Sequence, residues 1–189
     1  MADEDRVNWD RRWSEERDLP RSVPSWVAEL AEELPTKGRG LDVAAGAGRM
    51  AVFMARRGLD VDAVDISPVG LALAREAARD EGLRLKTVVR DLETEGPPEG
   101  RYELIACFHY RQPGLFPRLR DALAPGGMLI AEVETIKSVE PIKGIASEAR
   151  RALAEPNELL RAAGDLDVVY YREGVLGTRG LARLLARKR

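Results

Sequence analysis

Hydrophobic and polar positions along the chain change period several times, and each change predicts an element. Residues 1–22 are polar around Trp9 and Trp13 and read as an N-terminal arm or lid with a short helix. Pro20 and Pro24 punctuate the chain. Val27, Leu30, Ala31 and Leu34 then recur at helical spacing, predicting one apolar helix face that Pro35 stops. Residues 41–44 read as a short strand running into Ala45-Gly46-Ala47-Gly48. A helix follows through Met50, Val52, Met54 and Ala55, closed by Gly58. Residues 61–65 predict a second strand. Ser67 as cap and Pro68 in the first turn start the next helix, and Gly82 ends it. Residues 85–89 and 102–108 predict two more strands. A helix over 115–123 is broken at Pro125-Gly126-Gly127, and a fifth strand covers 128–133.

Strand and helix thus alternate from residue 41 to residue 133, which calls for a parallel sheet with helices on both faces. The tail departs from this order. Residues 155–163 read as a helix and 166–171 as a strand. The terminal 180–187 segment has the composition of a basic amphipathic helix. Its place after a strand and the turn residues Gly174 and Gly177 suits the second arm of a hairpin equally well.

A length of 189 residues suits a single domain over 1–189. Thirty basic against 32 acidic residues leave a net charge of −2, which argues against general nucleic-acid binding. No apolar run approaches a membrane span or a secretory signal, so a cytoplasmic location is expected. The one cysteine, Cys107, excludes an intrachain disulfide and a cysteine-rich metal site, and no metal is expected. The apolar content serves a monomer or a homodimer.

Candidate chemistry enters at the first turn. Gly46 and Gly48 let backbone pass close beneath a ligand, and the helix that follows offers free N–H groups to a negative group. A Gly-x-Gly turn by itself is often only a tight turn. Asp65, about 20 residues after Gly46 and at the end of the second strand, is placed to accept hydrogen bonds from ribose hydroxyls. Ala51 gives the third small residue that a dinucleotide site wants. Asp42 inside the first strand and Asp91 closing the third point elsewhere, because three carboxylates at successive strand ends suit a ligand with an ammonium, a ribose and an adenine. Asp91 reads equally as a solvated turn residue.

Residues 41–49, Leu-Asp-Val-Ala-Ala-Gly-Ala-Gly-Arg, resemble the first motif of class I S-adenosylmethionine (SAM)-dependent methyltransferases. Val64-Asp65-Ile66-Ser67 resembles the second motif, Arg90-Asp91-Leu92 the third, and residues 123–130 the approach to the family's fifth strand. Within that class the chain is similar to the small-molecule branch with tellurite-resistance-type and thiopurine-type enzymes. Residues 9–13, 111–117 and 157–160 add to this likeness. The resemblance implies a Rossmann-like, seven-stranded, mostly parallel sheet in three α/β/α layers with an antiparallel last strand, which favours the hairpin at the terminus. It also implies SAM as cofactor, with Trp13, Asp42, Ala44, Gly46, Gly48, Arg49, Asp65, Ile66, Ser67, Asp91, Leu92, Cys107 and Phe108 around it. Ala44 stands where the family pattern has its first glycine, and residues 135–148 match no part of it.

A small-molecule methyl acceptor is expected above the carboxyl ends of the strands, lined by residues 107–111. His109, the only histidine, and Tyr110 are the candidate catalytic groups. The imidazole reads as a base or as a structural pocket wall. Cys107 reads as core rather than nucleophile. Trp9 and Trp13 suit a lid, whereas Trp26 suits packing. Arg12 and Arg49 are candidates for the cofactor carboxylate, and the basic terminus from Arg183 to Arg189 for a solubilising face. Two other readings share the glycine turn: a non-catalytic SAM-binding protein, and an NAD(P)-dependent oxidoreductase, for which no Tyr-x-x-x-Lys pair is present.

Overall fold

Alternate residues of the central strands point to opposite faces, and both sets are apolar, so both faces must be covered. The computed structural model describes residues 2–16, 19, 21–112, 114–137 and 153–189. Its strands are β1 (Arg39–Val43), β2 (Asp60–Asp65), β3 (Lys86–Val89), β4 (Tyr102–Phe108), β5 (Leu123–Glu134), β6 (Asp167–Leu176) and β7 (Arg179–Arg187). They form a seven-stranded sheet in the order β3-β2-β1-β4-β5-β7-β6. The first five pair in parallel, and β7 lies antiparallel between β5 and β6. The expected Rossmann-like sheet with its antiparallel terminal strand is therefore present.

Six helices surround the sheet among the described residues: α1 (Ala2–Glu15), α2 (Ser25–Glu29), α3 (Arg49–Arg56), α4 (Pro68–Asp80), α5 (Leu115–Ala122) and α6 (Glu158–Ala162). Leu41, Val43, Ile105, Cys107, Leu129 and Ala131 pack against α5 and α6 on one face. Leu104, Ala106, Met128 and Ile130 pack on the other with Trp26, Met50, Met54 and Leu71. The two buried layers are what the two-sided apolar strands require.

The structure changes several expected boundaries. The polar arm is a 14-residue helix, α1, whose order comes from tertiary contacts with α4. The helix expected from Val27 to Leu34 breaks at Leu30 into α2 and a 3-10 turn over Ala31–Glu33. Pro125-Gly126-Gly127 does not separate helix from strand: β5 already pairs with β4 at Leu123, and the extra residues are absorbed by a register shift before Met128. Gly174 lies within β6, so the hairpin turns at Gly177, whose φ of 69° needs a residue without a Cβ. The 180–187 segment is strand, because Leu184, Leu185 and Ala186 fill the buried slot between β5 and β6. Pro20, Pro113 and most of the 135–148 segment lie outside the described residues.

Candidate functional site at the carboxyl ends of the strands

The turn after β1 is held by its neighbours. Ala44, Gly46 and Gly48 all have positive φ, at 55°, 51° and 81°. Ala44 in the left-handed region costs on the order of 1 kcal/mol. The Ala45 N–H donates to Val64 O at 2.9 Å and the Gly48 N–H to Ala45 O at 2.8 Å, which pins the loop against β2.

Asp65 grips the loop directly. Its Oδ2 accepts the Gly46 N–H at 2.7 Å and its Oδ1 the Ser67 N–H at 2.8 Å, and it is 7% exposed. Burial raises its pKa, the Ser67, Gly46 and Ile66 N–H bonds oppose that rise, and the Asp10 charge adds to it. Asp42 lies beneath, accepting the Ala51 N–H at 2.8 Å and so closing the first turn of α3. Burial pushes its pKa up to about 7, against the Ala51 bond and with a push from Asp65.

Above the loop lies α1. Ser67 caps α4 by accepting the Gly70 N–H at 3.0 Å, and its hydroxyl donates to Asp10 Oδ1 at 2.6 Å. Trp13 follows one turn later along α1. A Cβ on Gly46 would collide with its Cζ2, and one on Gly70 would come within 3.0 Å of its Nε1. The Trp13 Nε1–H is buried without a hydrogen-bond partner. Arg12 lies 4.9 Å from the Trp9 ring centroid, and Trp9 and Trp13 stack at 6.0 Å. Arg12 is thus a cation on an aromatic face.

The third strand end is organised differently. Asp91 accepts the Glu93 N–H at 2.9 Å and the Thr94 hydroxyl at 2.8 Å, while its own N–H donates to Glu95 at 3.0 Å. Both its oxygens therefore serve the local turn. Leu92 buries its side chain in the core, which leaves only its backbone for a ligand, and Ile66 is half-buried beside Asp65.

Beyond β4 the chain turns on His109, whose φ is 55°. Its N–H donates to Glu132 O at 2.8 Å. Its Nε2 is 3.5 Å from Glu132 Oε1 and 3.5 Å from Arg49 Nη2. Burial lowers the imidazole pKa below its usual 6.5; Glu132 and Glu134 oppose this, while Arg179 and Arg49 add to it. Tyr110 donates to Gln112 Oε1 at 3.3 Å, and burial with the nearby Glu93 charge keeps its proton on. Cys107 is fully buried, its thiol pushed up to about 12 by burial and then by Asp42, which fits a core residue.

Two groups here escape sequence reading. Glu132, 3% exposed, accepts the Trp26 Nε1–H at 2.9 Å and the Arg183 Nε–H at 2.7 Å. Trp26 stacks between Phe108 and Tyr170. Arg183 is therefore no solubilising side chain but the buried glutamate's cation. The signal was one acid inside the apolar run 128–133. Asp10 is the other, since nothing in its helical neighbourhood points to Ser67.

The chain's own groups fit SAM on these observations. The turn at 44–48 brings bare backbone to the surface of α1, a carboxylate closes one side, and an indole N–H lacks an acceptor. Among the described residues no cluster of metal-ligating side chains occurs, and no helix is long and apolar enough to cross a membrane.

Comparison with known proteins agrees with this geometry. Residues 41–127 match the family model described as a methyltransferase domain. The chain is 33% identical over 110 residues to a ubiquinone biosynthesis O-methyltransferase of Bordetella avium, covering 54% of this chain and 44% of that one. It is 33% identical over 131 residues to an enzyme of the same name from Acinetobacter baumannii, covering 63% and 54%. The chain thus spans about half the length of the curated relatives it matches. Among solved structures, TehB from Haemophilus influenzae superposes with a TM-score of 0.73 at 22% identity, over 88% of this chain and 63% of that one. Magnesium protoporphyrin IX methyltransferase from Synechocystis with bound SAH superposes at 0.72 with 15% identity, over 100% and 99%. Fold, turn geometry and family match converge: residues 41–127 of this chain match a methyltransferase domain, and the seven-stranded sheet is the fold of the methyltransferases it superposes on.

Proposed function

We propose that the protein transfers a methyl group from SAM to a small-molecule acceptor. The observation that carries this reading is the junction of the Gly46 turn, the Asp65 carboxylate and the buried, unpartnered Trp13 N–H at the carboxyl ends of the parallel strands. Bound SAM would supply an electrophilic methyl group on its sulfonium sulfur, with a neutral thioether as leaving group.

The remaining work falls to the chain. Asp65 holds the turn and offers its remaining lone pairs to the ribose. Arg49, in the first turn of α3, has no carboxylate partner among the described residues and is the cation for the cofactor carboxylate. Ile66, Leu92 and Phe108 bound the adenine and methyl ends, and α1 with Trp13 excludes water. His109 takes a proton where the acceptor carries one. Tyr110 keeps its proton and acts as a hydrogen-bonding group, not a base. The small-molecule acceptor is supported by the cover that α1 sets over the Gly46 turn, and by the names of the O-methyltransferase relatives.

Calorimetric titration with SAM, S-adenosylhomocysteine and NAD tests the reading. Saturable binding of the two adenosyl-sulfur ligands, without NAD, is expected. An Asp65→Ala variant should lose at least tenfold in affinity, since both the ribose contact and the hold on Gly46 go. Binding of NAD alone would overturn the reading, and wild-type affinity in Asp65→Ala would remove the role given to that carboxylate.

A further inference from the structure

His109 Nε2 has two suitors at the same distance, Glu132 Oε1 and Arg49 Nη2, each at 3.5 Å. A neutral ring nitrogen either carries a hydrogen and donates or has a lone pair and accepts. It cannot donate to the carboxylate and accept from the guanidinium at once. The two contacts therefore demand opposite tautomers.

Glu132 is built to hold its side of this contest. Its Oε2 is fixed by the Trp26 indole and the Arg183 guanidinium, both strong donors, and this leaves Oε1 as the oxygen 3.5 Å from the imidazole nitrogen, within ion-pair range. Trp26 is itself clamped between two aromatic rings, with Arg183 5.5 Å from its centroid. Arg49 has no such anchorage and belongs to the turn that meets the cofactor. The left-handed backbone at His109 also places the ring by strain, which a merely packed histidine would not need.

We propose that Glu132 is the positioning carboxylate of the acceptor site, orienting His109 through Nε2 so that Nδ1 is the ring's proton-accepting atom, and that Arg49 competes for the same Nε2. This rests on the methyltransferase reading for its use, though not for its measurement. When an acceptor's O–H or N–H gives its proton to Nδ1, the bonding pair stays on the heteroatom, and the imidazolium so formed lies beside Glu132. Moving Arg49 away favours the Glu132-bound tautomer. Other charges facing the ring are Glu134 from β5 and Arg179 from β7, which pair with each other, and Arg183 from β7, which acts through Glu132.

His109 is the only histidine, so its imidazole nitrogen and carbon-bound proton signals are unambiguous in an NMR titration of the whole chain. Glu132→Gln is expected to lower the ring's proton affinity roughly tenfold and to deplete the Nε2–H tautomer. Arg49→Gln, a half-exposed helix-start position, is expected to raise that affinity and enrich the Nε2–H form. Opposite signs in the two variants support the proposal. No change in Arg49→Gln, or shifts of the same sign, overturn it, even where Glu132→Gln fails to fold. Binding of S-adenosylhomocysteine on the same wild-type sample reports separately on the cofactor site. Intact binding with an unresponsive ring sinks only this proposal, whereas absent binding with the opposite shifts sinks only the methyltransferase reading.

Discussion

At the residue scale, Asp42 shows how a motif acid works before any ligand arrives. It is 2% exposed and commits Oδ2 to the Ala51 N–H, so its charge is held largely by one backbone bond. Its pKa of about 7 lies above the ordinary carboxylate value. The folded state therefore binds a proton that the unfolded chain has released, across the window from about 4 to about 7. The stabilisation from this group is complete below that window and lost as pH rises through it. Asp42→Asn keeps an acceptor for Ala51 and removes the charge. In urea unfolding, the variant should gain on wild type between pH 5.5 and pH 8, by a few kcal/mol at most. Parallel pH profiles for the two proteins would refute this account. Ala44 and His109, both non-glycine residues at φ 55°, mark the ends of β1 and β4 as places of backbone strain.

At the scale of elements, α1 and α4 meet through one small residue. Ser67 serves two partners: it accepts from Gly70 to cap α4 and donates to Asp10 to hold α1. Removing the hydroxyl should cost about 1 kcal/mol of global stability, the usual worth of a cap. Asp10→Ala should leave the cap and the unfolding midpoint nearly unchanged, yet free α1 from the turn. Limited proteolysis then reads that hold apart from the cap. Cleavage within 2–15 should accelerate in both variants, since each breaks the Ser67–Asp10 bond, and wild-type protection in Asp10→Ala would show that Trp13 packing alone holds the helix. The cap was legible from Ser67-Pro68, because its partner lies three residues away. The hold on α1 was not, since Asp10 and Ser67 are 57 residues apart.

At the scale of the whole molecule, the terminal strand closes the architecture. β7 enters between β5 and β6 and carries Arg183 to Glu132 from 51 residues away. Its register decides that pairing, since Glu132 lies opposite Arg183 and a one-residue slip would turn the guanidinium to the other face. Past β7, Lys188 Nζ donates to the carbonyls of Arg120 at 2.8 Å and Leu123 at 3.0 Å, fastening the chain end to the last turn of α5. Lys188→Met keeps the stem and deletes those bonds, and should lower stability by about 1–3 kcal/mol. An unchanged urea midpoint would show that the carbonyls are satisfied by water in the variant.

What the sequence determined by itself was whatever acts within a few residues or repeats with a period. The alternation of strand and helix from 41 to 133, the left-handed glycine turn, the Ser67 cap and the order of Asp42, Asp65 and Asp91 at strand ends were all legible on those terms. So was the match to a methyltransferase domain over 41–127, because its motifs are short and local. Only the tertiary structure decided the rest. It made the polar arm a long helix by giving it α4 to lie on, and it overrode the helical propensity of 180–187 by offering a buried strand slot. It used both oxygens of Asp91 for a turn, and it brought Trp26, His109, Glu132 and Arg183 together from four elements or their ends. Local preference is worth tenths of a kcal/mol per residue. Burying a strand of leucines or pairing a buried charge is worth several times that, and neither partner's identity is written near the other in the chain.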